Sequence, residues 1–188
     1  IERKIARVVY GYGDPNPLVS GKGAAKLTEA GIPCEYVETP EITSFYESYA
    51  YWTRTRLPLV TAKLAFSLDG KIAGKEGKRL SLSGEKLNHF THEQRLASDA
   101  ILTTVPTIIK DNPQLNVRLK GEVFKKPIYV LDRYLRMPLD ARLFETAADL
   151  TLFCSPKAAE LKGKEFEKRN ALVIVVGENR GLLDLGSV

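Results

Sequence analysis

The chain has 188 residues, with 28 Lys+Arg against 23 Asp+Glu for a formal net charge of +5, and 44% of its residues are hydrophobic. The hydrophobic share excludes a disordered chain, and two cysteines far apart, Cys34 and Cys154, exclude a disulfide framework and suit a reducing cytoplasm. No run reaches the ~18 apolar residues of a membrane span, the N-terminal stretch lacks a signal peptide's apolar region and cleavage site, and the basic excess is spread out rather than gathered into a nucleic-acid footprint.

Residues 7–12 (RVVYGY) and 33–38 (PCEYVE) read as short strands around a helix at 20–30. Ala24, Leu27 and Ala30 recur there at helical spacing and Gly31 supplies the stop, so the segment is a β-α-β unit. Thr39 and Pro40 read as the N-cap and first position of a helix whose Ile42, Phe45, Tyr46, Tyr49 and Trp52 share one face, expected to be core. PLVTAKLAFS (58–67) is too apolar for an exposed edge and is expected to be a central strand, ending at an Asp69–Gly70 turn. After the polar segment GKEGKRLSLSG, a helix capped by Ser83, with Leu87, Phe90 and Leu96 inward, runs into a second buried strand, AILTTV (100–105). PIYVLD and ALVIVVG are further strands that bracket DLTLFCS and a helix opened by Ser155 and Pro156. This alternation argues for an α/β layered fold with a largely parallel sheet. The first unit has too few strands for an independent core and the last residues stop at the expected entry to another element, so the chain is expected to be a fragment that begins and ends inside domains.

Zinc-ligand spacings are absent from the sequence. His89 and His92 share a face of one predicted helix and read as surface or capping residues, and Cys154 reads as a buried thiol. The sequence has no Walker loop or GxGxxG fingerprint, and GKGAAK (21–26) is a helix start rather than a pyrophosphate cradle. What remains is a concentration of polar residues at strand ends. Lys63 lies inside an apolar stretch followed by Asp69, while Pro106, Thr107, Lys110, Asp111, Asn112, Pro113, Gln114 and Arg118 are expected to crowd one loop after AILTTV. Ligands of open α/β sheets bind outside the carboxyl ends of strands, so these clusters indicate a site for a polar, anionic small molecule.

The blocks VTAKLAFSLDGKIA, RLASDAILTTVPTIIKDNPQLNVR and PIYVLDRYLRMPLDARLF resemble the reductase domain of the riboflavin-biosynthesis bifunctional deaminase/reductase family, in order and spacing. RVVYGYGDPNPLVSGKGAAKLTEAGIPCEYV resembles the closing segment of that family's deaminase domain. The resemblance implies a cytidine-deaminase-like remnant at 1–55 joined to a dihydrofolate-reductase-like α/β reductase domain at 56–188, truncated at its C-terminal end. It implies NADPH-dependent reduction of the ribosyl group of 5-amino-6-(5-phosphoribosylamino)uracil to the ribityl form, in a cytoplasmic homo-oligomer. In the parent protein, a zinc deaminase would act on the preceding diaminopyrimidine; its HxE and PCxxxGxxPPC motifs are absent here.

By the same resemblance, Lys63 and Asp111 match catalytic positions beside the ribosyl group. Arg95, Leu115 and Arg118 match substrate contacts, and Ala65, Thr107 and Asp111 match NADPH contacts. The chain departs from the family at three of its sites. Arg79 stands where the family has a substrate-side Ser, Ser81 where it has a cofactor-side Trp, and Arg133 where it commonly has Ser, a place from which a basic residue would meet the NADPH 2′-phosphate. These departures leave room for an alternative, a non-catalytic reductase-like module that binds phosphorylated pyrimidines or serves assembly.

Overall fold

The computed structural model describes residues 1–2, 5–75 and 81–188, which divide into two compact units, Ile1–Leu64 and Ala65–Val188. In the first unit, β1 (Val8–Tyr10) precedes α1 (Lys22–Glu29), and β2 (Cys34–Tyr36) returns parallel to β1 with Val8 opposite Cys34, forming the expected β-α-β unit. Helix α2 (Pro40–Thr55) starts as its sequence predicts: Pro40 occupies the first turn, and the Thr39 side chain accepts a hydrogen bond from the Ile42 N–H at 3.4 Å. Gly11, just after β1, packs close against α2: a Cβ there would lie 2.3 Å from Ile42 Cδ1 and 3.2 Å from the Val37 carbonyl oxygen, so the Ile42 side chain would have to shift.

The aromatic face of α2 is not core. Phe45 is 77% and Trp52 49% exposed, and the buried residue of the helix is Ala50. Helical spacing records that a face exists, but burial needs a covering layer, and this unit supplies two three-residue strands. The rings instead satisfy one another and their polar tips. Tyr12 stacks on Tyr46 with centroids 4.3 Å apart, and the Tyr49 hydroxyl donates to Asp14 at 3.0 Å.

Residues 58–67 form no strand, and Lys63, Val60 and Leu64 are exposed, against the expected central strand. Apolar content alone does not make a strand; its backbone N–H and C=O groups need a partner strand, and none pairs with this segment among the described residues. The turn that follows is as expected. Gly70 has φ 76°, its N–H donates to the Ser67 carbonyl at 2.9 Å, and the Ser67 hydroxyl donates to Asp69 at 2.5 Å.

The second unit continues with α3 (Glu85–Ala97), β3 (Ile101–Thr104), α4 (Val105–Asp111) and the hairpin β4 (Val117–Leu119) with β5 (Glu122–Phe124). Then come β6 (Ile128–Leu131), α5 (Leu143–Thr146), β7 (Leu150–Cys154), α6 (Pro156–Glu167) and β8 (Ala171–Val175). A small antiparallel pair, β9 (Glu178–Asn179) with β10 (Leu182–Leu183), and a 3-10 turn at Leu185–Ser187 close the chain. Strands β3, β6, β7 and β8 form one parallel sheet in that order, giving the expected mixed α/β architecture.

Strand β7 is buried at every position because it has a neighbour on each side and packing on both faces. Val130, Leu152 and Phe166 of the core are essentially inaccessible, and each stabilises the unit by about 1.5–3 kcal/mol of apolar burial. By contrast β3 is an edge strand and alternates, with Leu102 50% exposed, so the expected second buried strand is only half buried. The N-cap of α3 is Gly84 rather than Ser83 and makes no side-chain cap, and Leu87, Phe90 and Leu96 are exposed rather than inward. The apolar residues of α3 had marked a face that the β4–β5 hairpin covers only in part. Helix α6 begins as expected, with the Ser155 hydroxyl accepting from the Ala158 N–H at 3.3 Å.

Candidate functional site

The polar cluster after β3 is not a single loop. Pro106 sits in the first turn of α4, where its missing N–H costs nothing, so residues 105–111 coil into a helix before the chain turns. Asn112 ends α4 in the left-handed region at φ 39°, a conformation Asn tolerates, and its Oδ1 accepts the Arg142 N–H at 2.9 Å. Leu115 also lies in the left-handed region at φ 49°, where a bulky side chain is strained by about 1–3 kcal/mol. That twist turns the next residues back toward α3, and β4 packs on α3.

The reversal assembles a compact polar cluster. Asn116, 6% exposed, accepts from Arg118 Nη1 through Oδ1 at 2.5 Å, accepts from Arg95 Nη1 through its backbone carbonyl at 3.3 Å, and donates from Nδ2 to Gln114 Oε1 at 3.3 Å. Gln114 Oε1 also accepts from Arg118 Nη1 at 3.1 Å, and the Gln114 carbonyl is tied down by the Thr146 hydroxyl at 2.8 Å. Burial first, and then the neighbouring Arg118, hold the Arg95 guanidinium below its ordinary pKa. Neither arginine has a carboxylate within ion-pair distance among the described residues. Two adjacent cations held by amide groups alone leave an uncompensated positive field, which an anion with several acceptor oxygens would satisfy.

The structure therefore brings Arg95 and Arg118 together on Asn116, while Leu115 packs against the hydrophobic core and Thr107 and Asp111 lie one helical turn apart on α4. Neither the Thr107 hydroxyl nor the Asp111 carboxylate has a side-chain partner among the described residues, so both are available to a ligand. Lys63 belongs to the first unit and is exposed rather than inside a strand, while Ala65 opens the second unit and is partly buried. Arg79 lies outside the described residues. Ser81 is exposed, its hydroxyl donating to the Ser83 carbonyl at 3.4 Å.

Arg133, at the carboxyl end of β6, is already committed. Its Nε donates to Glu178, its Nη1 donates to the Gly181 carbonyl, and its guanidinium lies 4.7 Å over the Tyr134 ring. Beside it Asp132 is fully buried, one oxygen accepting the Met137 N–H at 2.8 Å and the other without a partner among the described residues. Burial, with Asp132 adding to it, pushes the Cys154 thiol up to about 11, which leaves it protonated and inert, as read from its sequence context.

Sequence reasoning passed over Asn116 and His92. Asn116 has no polar-cluster signature of its own, although it lies within the PQLNVR block, and His92 was read as a surface or capping residue. In the structure, His92 Nδ1 accepts the Arg118 backbone N–H at 3.1 Å, a contact across 26 residues that no local pattern announces. Among the described residues no group of three or more His, Cys, Asp or Glu is placed to hold a metal, and no helix is long and apolar enough to cross a membrane.

Residues 58–187 match the family described as the RibD C-terminal domain. The chain belongs to that family. It is 34% identical over 190 residues to the riboflavin biosynthesis protein RibD of Actinobacillus pleuropneumoniae, covering 98% of this chain and 50% of that protein. It is 35% identical over 181 residues to the RibD of Aquifex aeolicus, covering 95% of this chain and 51% of the relative. This RibD C-terminal domain chain thus spans about half the length of the curated relatives it matches.

Among solved structures, Acinetobacter baumannii RibD superposes with a TM-score of 0.80 at 28% identity, covering 97% of this chain and 51% of that one. The Thermotoga maritima diaminohydroxyphosphoribosylaminopyrimidine deaminase/5-amino-6-(5-phosphoribosylamino)uracil reductase superposes with a TM-score of 0.75 at 32% identity, covering 94% of this chain and 55% of that one. The family and mixed α/β fold that the sequence blocks implied are those the comparisons show.

Proposed function

We propose that this chain carries the reductase part of a RibD-type enzyme of riboflavin biosynthesis, in which NADPH reduces the ribosyl group of 5-amino-6-(5-phosphoribosylamino)uracil. The observation that carries the reading is the Arg95–Arg118 pair, two neighbouring cations without a carboxylate among the described residues, in a family whose Thermotoga maritima member is named for a phosphoribosylamino substrate. The guanidinium forks would take the substrate phosphate in bidentate hydrogen bonds; Gln114 and Asn116 both hold Arg118 by its Nη1, so Nε and Nη2 are the groups that would meet the anion. Leu115, packed in part against the core, would offer the pyrimidine the exposed remainder of its apolar side chain.

Thr107 and Asp111, an uncommitted hydroxyl and carboxylate on one face of α4, fit the ribose and amide groups of a nicotinamide nucleotide. Arg133 does not fit a cofactor 2′-phosphate, because Glu178 already matches its charge. NADPH, when bound, supplies the hydride. The protein's work is to hold C1′ of the ribosyl group in line for it, with the phosphate anchored at one end and Asp111 orienting the sugar hydroxyls, so that positioning rather than proton chemistry supplies most of the acceleration. Lys63 belongs to this proposal as a ribosyl-side position, Ala65 and Ser81 as cofactor-side positions, and Arg79 as a substrate-side position. The first unit fits the closing part of a deaminase domain, since the Actinobacillus pleuropneumoniae alignment takes in nearly the whole chain.

The decisive experiment follows oxidation of the reduced nicotinamide by the complete polypeptide with 5-amino-6-(5-phosphoribosylamino)uracil. Substrate-dependent oxidation that disappears in Asp111→Asn supports the assignment. Binding of NADPH or of substrate without any oxidation would replace it with a non-catalytic module.

A further inference from the structure

We propose that His92 is a positioning residue of the anion site, acting as a neutral hydrogen-bond acceptor that fixes the strand carrying Arg118. The inference rests on the anion-site reading of Arg95 and Arg118 and adds to it the group that aims one of the two. Its geometric basis is one bond: the Arg118 backbone N–H donates to His92 Nδ1 at 3.1 Å. Arg118 is the middle residue of β4, which follows the strained Leu115 and starts at the buried Val117, and opposite it on the hairpin stands Val123 of β5. A three-residue strand in a two-stranded hairpin is marginal on its own, so an anchor from α3 has a large effect on where the Arg118 side chain points.

The surroundings keep the imidazole neutral. Arg118 from β4 and Arg95 and His89 from α3 all face His92 with like charge, while the Asn116 carbonyl pulls weakly the other way. Of the two carboxylates on the same helix, Glu93 is engaged with His89 at 3.3 Å and Glu85 stands at the helix start, seven residues before His92. Desolvation comes first among the causes that hold His92 below its ordinary pKa, with the cations next. An acceptor at Nδ1 requires the proton on Nε2, so the structure also specifies the tautomer.

The test compares ribose 5-phosphate with ribose as probes, by calorimetry on the complete polypeptide, in wild type, His92→Phe and His92→Asn. Phe keeps the ring's bulk and loses the acceptor; Asn places an amide oxygen near the position of Nδ1. The expected result is that His92→Phe weakens ribose 5-phosphate about tenfold, a difference of roughly 1.4 kcal/mol, with ribose binding unchanged, and that His92→Asn restores most of the loss. A role in folding alone would weaken both probes and would not be rescued by Asn.

Wild type that prefers ribose 5-phosphate, with His92→Phe keeping the full preference, overturns the positioning role and leaves the anion site standing. Wild type with no preference for the phosphate overturns both. Nitrogen chemical shifts of His92 in the wild-type protein give a measurement independent of any variant's folding: an unprotonated Nδ1 supports the proposal, and a protonated Nδ1 refutes it.

Discussion

Arg118→Ala isolates the anion site from the fold. Arg118 is exposed, so its removal costs stability mainly through the bond it gives the buried Asn116 Oδ1, about 1 kcal/mol, offset in part by relief of the repulsion with Arg95. Its loss to binding is larger. A hydrogen bond to a charged group contributes about 1.5–3 kcal/mol, and the fork would give a phosphate two of them. Solvent screening at an exposed site and the remaining Arg95 guanidinium reduce that total, which places the expected loss at about 2 kcal/mol, or roughly 30-fold in affinity. The assay is the binding of 5-amino-6-(5-phosphoribosylamino)uracil and of its dephosphorylated counterpart to wild type and variant, with thermal melting as a control. The phosphorylated ligand should lose the full factor and the dephosphorylated one almost nothing. Arg118→Lys should recover only part of the loss, since a point charge lacks the fork. Equal losses for the two ligands, with an unchanged melting temperature, would refute the phosphate role and leave Arg118 as a general contact.

Asp111→Asn removes the charge while keeping the shape and should lower turnover of the complete protein at least about tenfold, with NADPH affinity measured in parallel to separate orientation from binding. In the folded protein Cys34, only partly buried, should react with an alkylating reagent near neutral pH while Cys154 resists until denaturant is added. Because the Cys154 pKa rises from 9.0 to about 11 on folding, the folded state holds that proton more tightly, and stability should fall as pH climbs between those values. His92 has the opposite sign: its folded pKa lies below the 6.5 of the unfolded chain, so the stability it carries is present above 6.5 and is lost as pH falls below it. Denaturant midpoints at several pH values should show that loss in wild type, and a smaller one in His92→Asn.

Local signals were legible where local physics decides the outcome. Thr39–Pro40 and Ser155–Pro156 open helices because a hydroxyl acceptor and a ring-fixed φ act within one turn, and Asp69–Gly70 turns because glycine alone takes the positive φ freely. The readings that failed concerned what lies on the other side of a face. Phe45 and Trp52, Leu87 and Phe90, and the whole of 58–67 have the right periodicity or apolarity for a core, yet burial is a property of two surfaces and the sequence states only one. The same limit explains why a polar loop was expected where α4 forms: Pro106 and Asn112 are turn residues by composition, but one caps the first turn of a helix and the other its end.

The site itself was legible in its charges and not in its order. Arg95 and Arg118 stand 23 positions apart, a separation that carries no helical or strand period. They meet because Leu115, strained at φ 49°, sends the chain back to α3, where the buried Asn116 takes a hydrogen bond from each of them. A single small amide thereby does what an acidic residue usually does between two arginines, but without cancelling their charge. Were position 116 a carboxylate, the pair would be neutralised in place and a phosphate would gain little by arriving; with an amide, the positive field stays available to the ligand. Asn116→Asp should therefore raise the melting temperature or leave it unchanged while weakening phosphorylated ligands about tenfold or more, and a variant that binds them as tightly as wild type would remove the electrostatic argument for the site.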